Sequence, residues 1–197
     1  MHRILLLRFV ATLVIAVAIA GEIPAHAVAS SPYVLSSDGT AITATYEGVP
    51  IGPWQASQHF CHTRDYPIVR CFASQAEVAA DLGWTEPTAP AASLGAGSAD
   101  GNAGGTAPDW AGGPYTIAYW DINYGGNALT VYGAVPNLGA IGWNDAISSM
   151  KSVNCGLPRY YENINYGGWY WQNGCNVWTA NLYDFNDTFS SVVNMAP

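Results

Sequence analysis

The sequence predicts an all-β fold: a sandwich of two four-stranded units, preceded by a small disulfide-linked α+β unit and a flexible linker. Three observations carry that expectation. Two sequence patterns occur twice after residue 114, each pair 42 positions apart. The repeated half is rich in aromatics, glycine and turn formers, a composition that favours strands over helices. A run dominated by Gly, Ala and Pro divides it from the half before.

Composition narrows the function classes. The 197 residues are 50% hydrophobic and 10% charged, with six Lys and Arg against fourteen Asp and Glu. So few cations cannot line a phosphate-binding groove, and no nucleic-acid partner is expected. Residues 1–27 read as a cleaved export signal: His2, Arg3 and Arg8 precede the apolar run Phe9–Ala20, Gly21 and Pro24 break any helix, and Ala25-His26-Ala27 offers small residues at the cleavage site. A run of twelve residues is too short to cross a hydrocarbon layer about 30 Å thick. The expected product is secreted and extracellular, with no membrane partner after cleavage. Four cysteines then sit in an oxidising compartment, and one disulfide within each half is expected, Cys61–Cys71 and Cys155–Cys175. The rival is a zinc site from His59, Cys61, His62 and Cys71, although the spacing fits no usual zinc knuckle.

Residues 28–84 form the N-terminal unit. Ala41–Tyr46 and Tyr66–Phe72 read as strands, and Ser74-Gln75-Ala76-Glu77 is a capping box opening a short helix that ends near Gly83. Residues 85–113 hold seven Gly, eight Ala and three Pro and read as the linker.

The repeat fills residues 114–197. Tyr119-Trp-Asp-Ile-Asn-Tyr124-Gly-Gly126 recurs as Tyr161-Glu-Asn-Ile-Asn-Tyr166-Gly-Gly168, and Trp143-Asn-Asp-Ala-Ile-Ser-Ser149 as Phe185-Asn-Asp-Thr-Phe-Ser-Ser191. The paired tyrosines predict hairpins whose rings pack on each other, with Gly126 and Gly168 at positive φ or beneath a ring. Each unit has room for four short strands, and neither can bury its apolar face alone, hence a sandwich. The Asn-Asp-x-x-Ser-Ser stretches put an amide, a carboxylate and two hydroxyls beside a turn, with no nitrogen or sulfur ligand. Oxygen-only donors on a flexible turn select a hard cation, calcium before magnesium.

With those motifs laid out, residues 115–197 resemble a βγ-crystallin domain of the secreted bacterial calcium-binding type. The family's hairpin signature, aromatic-x-x-x-x-aromatic-x-Gly, matches Tyr119–Gly126 and Tyr161–Gly168; its calcium signature matches Asn144–Ser149 and Asn186–Ser191. The resemblance implies two Greek-key motifs and two Ca2+ ions. Each ion would be held by an Asn/Asp side chain and nearby carbonyls of one stretch, with the fifth-position Ser crossing from the other. Carried over, the ligand set is Asn144, Asp145, Ser148, Asn186, Asp187 and Ser190, completed by the backbone carbonyls of Trp120 and Glu162. Cys155 and Cys175 depart from most calcium-binding members.

Two other functions are available to such a fold: a secreted protease inhibitor or antifungal killer-toxin-like protein, and a carbohydrate-binding module using Trp169-Tyr170-Trp171. The tryptophans are better read as a strand whose alternation buries one face. The partner beyond calcium would be an extracellular protein or glycan. No enzyme is expected, because Asp121 beside Asn123 and Glu162 beside Asn163 are not a catalytic carboxylate pair, and no phosphate loop or nucleophile elbow occurs.

Overall fold

The computed structural model describes residues 33–35, 39–84 and 113–195; the expected leader, and the linker except for Gly113, lie outside them. The repeat folds as an all-β Greek-key sandwich. Its first motif supplies β6 (Tyr115–Tyr119), β7 (Ala128–Val131), β8 (Ala134–Val135) and β9 (Ser149–Val153). Its second supplies β10 (Leu157–Asn163), β11 (Gly167–Gln172), β12 (Trp178–Thr179) and β13 (Ser191–Met195). One sheet runs β7-β6-β9-β12 and the other β11-β10-β13-β8, all antiparallel. Each motif therefore places three strands in its own sheet and lends its third to the other. Neither sheet is complete without both copies of the repeat.

Between the sheets lie Trp143, Tyr160, Phe189, Leu138, Ile147, Met150 and Val192, each at most 1% exposed. Truncating a ring of this size at such a site costs about 3–5 kcal/mol. The hairpin tyrosines pack as expected, Tyr119 on Tyr124 and Tyr161 on Tyr166, each pair edge to face with centroids 5.7 Å apart. Around the first pair the structure adds a cation. Lys151 is 6% exposed, and its Nζ lies 5.0 Å from the Tyr119 ring, 4.9 Å from Tyr124 and 4.3 Å from Trp178. Three ring faces can hold an ammonium that has lost most of its water.

Both expected disulfides are formed, Cys61–Cys71 and Cys155–Cys175. The zinc alternative is thereby removed, since oxidised sulfur cannot ligate as thiolate. In the N-terminal unit the expected strands appear as β2 (Ala41–Tyr46) and β5 (Ile68–Phe72), and the helix as α2 (Gln75–Leu82). Ser74 caps α2 by accepting from Glu77 N–H at 3.2 Å, while the Glu77 carboxylate reaches one residue further back, to Ala73 N–H. Short elements that local patterning did not reveal are β1 (Tyr33–Leu35), β3 (Val49–Ile51), α1 (Pro53–Ala56) and β4 (Phe60–His62).

The N-terminal unit is joined to the sandwich. β4 lies parallel to β7, pairing Cys61 with Leu129 and His62 with Thr130, so β1-β2-β5-β4 continue the first sheet. Beyond β4, Thr63 N–H donates to Thr130 O, and the Thr63 hydroxyl donates to Tyr132 O and accepts from Tyr132 N–H. Ile42, Ala44, Ala56, Val69 and the Cys61–Cys71 bridge share one apolar cluster with Leu129, Leu138, Ile141 and Trp143. Trp84 packs on Tyr115 at 5.3 Å.

β4 is pinned from the far side by His62, which is 1% exposed. Its Nδ1 accepts from Arg64 N–H at 3.3 Å, so the proton sits on Nε2 and is donated to the Asp81 carboxylate of α2 at 2.9 Å. Arg70 holds the other Asp81 oxygen at 3.0 Å. Burial pushes the His62 pKa below its ordinary value, against an opposing pull from Asp81. The unfolded chain therefore binds a proton more readily than the native one. Stability is full above the ordinary histidine range near 6.5 and falls as pH drops through it toward the folded value. Melting temperature measured from pH 7.5 to 5 should fall in the parent chain, at roughly 2–4 °C per kcal/mol lost. His62→Gln, which keeps a donor and an acceptor, should flatten that slope.

Candidate metal centre

The two Asn-Asp-x-x-Ser-Ser stretches meet at one end of the sandwich. Asp145 N–H donates to Phe189 O at 3.0 Å, and Asp187 N–H donates to Ile147 O at 3.2 Å. These bonds are images of each other under the 42-residue repeat. Asp145 and Asp187 also take the same backbone conformation, φ 50° and 53°. A left-handed turn at a non-glycine residue suits Asp and Asn, whose short polar side chains bond locally. Here each carboxylate accepts from its neighbour's amide: Asn144 Nδ2 to Asp145 at 2.6 Å, Asn186 Nδ2 to Asp187 at 2.7 Å.

The first fifth-position serine crosses to the other stretch. Ser148 Oγ lies 3.4 Å from Asp187 Oδ1 as a donor, a long bond. The backbone puts both serines beside a hairpin: Ser148 N–H donates to Tyr119 O, and Ser190 N–H to Tyr161 O. Trp120 and Glu162 directly follow those tyrosines, so the carbonyls named from sequence adjoin the serines named from sequence. Thus Ser148 meets Asp187, with Trp120 one residue beyond the tyrosine it bonds, and Glu162 stands in the same relation to Ser190.

Charge is concentrated at this end. The Asp187 carboxyl is held above the ordinary carboxylate range by burial first, and by the nearby Asp145 and Asp121 charges, against the Ser148 hydroxyl that favours the anion. An added cation would remove that repulsion. Asn186 Oδ1 is buried and has no hydrogen-bond partner within the protein. An orphaned amide oxygen beside a carboxylate with like-charged neighbours fits an oxygen-seeking cation. Among the described residues no group of three or more His, Cys, Asp or Glu is placed to hold a metal ion by itself. The donors are thus mixed carboxylate, hydroxyl, amide and carbonyl oxygens, the chemistry that suits Ca2+ better than a soft metal.

The sixth-position serines have a separate task that the sequence reading left unassigned. Ser149 Oγ donates to Asp121 O at 2.6 Å and accepts from Tyr124 N–H at 3.0 Å. Ser191 Oγ donates to Asn163 O at 2.7 Å and accepts from Tyr166 N–H at 3.0 Å. Each clips the folded hairpin to the start of its motif's last strand. The duplicated second Ser was the available signal. Hairpin closure also needs Gly126 and Gly168, at φ 70° and 77°, where a Cβ would lie 2.8 Å from Asp121 Oδ2 and 2.6 Å from Glu162 Oε2 respectively.

The tryptophan triplet forms β11. Trp169 meets Phe185 and Phe189 at 5.2 and 5.8 Å, and Trp171 meets Phe185 at 4.8 Å. Tyr170 turns to the other face, against Tyr161 and the Arg159 guanidinium. The alternation is real, although Trp169 keeps 38% of its surface exposed.

Comparison with known proteins follows the repeated half. No protein-family model and no curated protein matches the sequence. Solved structures do. A βγ-crystallin from an archaeon is 31% identical, with 42% of this chain covering 99% of that one at a TM-score of 0.38. A βγ-crystallin domain from Clostridium beijerinckii is 30% identical, with 40% of this chain covering 94% of it at 0.35. A βγ crystallin from Ciona intestinalis is 24% identical, with 41% covering 99% at 0.38.

Separate tasks for adjacent serines give a direct test. In chelator, Ser191→Ala should lower unfolding free energy by about 1–3 kcal/mol, since it removes two part-buried hydrogen bonds. Ser190→Ala should lower it less, and denaturant titration of both variants reads the difference.

Proposed function

We propose a calcium-binding role for this chain, which belongs to the βγ-crystallin superfamily: its Greek-key domain takes two Ca2+ ions where the paired Asp stretches cross. The observation that carries this reading is the convergence of Asp145 and Asp187 on one end, with Asn186 Oδ1 buried and unpartnered beside them. Asp145 and Asp187 supply the anionic ligands. Asn144, Asn186, Ser148 and Ser190 supply neutral oxygens, with the carbonyls of Trp120 and Glu162. The role is binding, not catalysis.

One carboxylate per ion sets a moderate affinity, on the order of 10⁻⁶ to 10⁻⁴ M by charge count. At about 1 mM calcium, linkage then adds about 1.4–4.1 kcal/mol per site. Isothermal calorimetry on the full chain should show two ions bound, with Asp145→Ala and Asp187→Ala each removing one. Melting should rise by many degrees in calcium and far less in magnesium, which dehydrates reluctantly and demands a regular octahedron. Absence of heat, or equal shifts with both metals, would sink the reading.

Export belongs to the same proposal. Two formed disulfides suit an oxidising compartment. Cleavage after Ala27 is expected, and N-terminal sequencing of protein recovered from culture medium reads it directly; an intact leader there would contradict it.

A further inference from the structure

The metal-binding stretches are related by the repeat, but their surroundings are not. On the first motif, α1 packs against the turn at Leu138–Ile141, and a Cβ on Gly142 would run into Pro53 O and sit 2.9 Å from Ser57 Cβ. Asn127, which closes the first hairpin through its bond with Trp120 N–H, donates from Nδ2 to Ser57 O at 2.8 Å. One short N-terminal segment, 53–57, thus touches both the hairpin and the turn that leads through Trp143 into Asn144 and Asp145. The second motif lacks this turn: Leu138 and Leu182 are equivalent, their N–H groups donating to Ser190 O and Ser148 O, but only the exposed Tyr183 and Asp184 separate Leu182 from Phe185, where four residues separate Leu138 from Trp143.

We infer that the N-terminal unit is a brace for the metal centre, so that its docking and calcium binding stabilise each other. This rests on the calcium reading above. The physical ground is preorganisation. A turn already held in its binding conformation has little backbone freedom left to lose when an ion arrives, so less of the binding free energy goes into ordering it. The first motif gives Asp145 to one site, and Trp120 and Ser148 to the other, so bracing it serves both. Coupling between two binding events is reciprocal. Calcium must therefore tighten the seam between β4 and β7 by the factor that docking tightens calcium.

The test loosens the seam away from the metal ligands. Thr63→Val removes the hydroxyl that bonds both backbone groups of Tyr132. Asn127→Ala is a second variant acting through Ser57. Calorimetry on each folded full-length variant should show calcium binding weakened about fivefold. On the unaltered chain, hydrogen exchange should show calcium slowing the Thr63 N–H, which bonds Thr130 O across the seam. This arm needs no variant to fold. Unchanged affinities in folded Thr63→Val, or unchanged exchange at Thr63 in a chain that binds calcium, would overturn the brace alone. A parent chain that gives no calcium heat would overturn the calcium reading and the brace with it.

Discussion

Two backbone hydrogen bonds, from Asp145 N–H to Phe189 O and from Asp187 N–H to Ile147 O, hold each motif's acidic turn against the other's. They force the two carboxylates onto one end of the sandwich, where Asp187 feels the charge of Asp145. They also fix where the following serines fall: Ser148 and Ser190 against the tyrosine-bearing strands of their own motifs, Ser149 and Ser191 against the hairpin backbones. The lent strands β8 and β12 serve the same constraint, since a motif that gives away a strand has no self-sufficient sheet. The energetic unit is the pair.

This dependence explains which parts of the molecule can be read from the chain. The hairpins and acidic stretches are legible because duplication singles out Tyr119, Gly126, Asp145 and Ser149 together with their partners 42 positions on. The β2 alternation and the Ser74 cap are legible because period and capping are local. The β4–β7 pairing is not. Phe60-Cys61-His62 is three residues long, and nothing local says that its partner lies at Leu129 and Thr130. Parallel pairing between distant segments carries no turn signature. The same limit hid the task of Ser149, whose partners Asp121 and Tyr124 become neighbours only after the hairpin folds.

The continuous sheet changes what counts as a unit of folding here. Read by composition, the chain divides at the Gly/Ala/Pro-rich run. Read by packing, Ile42, Ala56 and Val69 belong to the same apolar cluster as Trp143 and Leu138. The edge strand β7, which a solitary sandwich would leave with unpaired N–H and C=O groups, is covered by β4. Its repeat-related counterpart β11 is bonded only to β10 among the described strands. Among the described strands one sheet edge is covered and the other is not, an asymmetry imposed on a duplicated fold by the part that was never duplicated.

Lys151 is the chain's single lysine, and its amine is enclosed by Tyr119, Tyr124 and Trp178. A native molecule therefore shields its one ε-amino group from acylating labels, aldehydes and reducing sugars. When the first hairpin swings off β9, that nucleophile reaches solvent. Covalent tagging at this position becomes a chemical clock for hairpin opening, with every modified molecule recording one excursion.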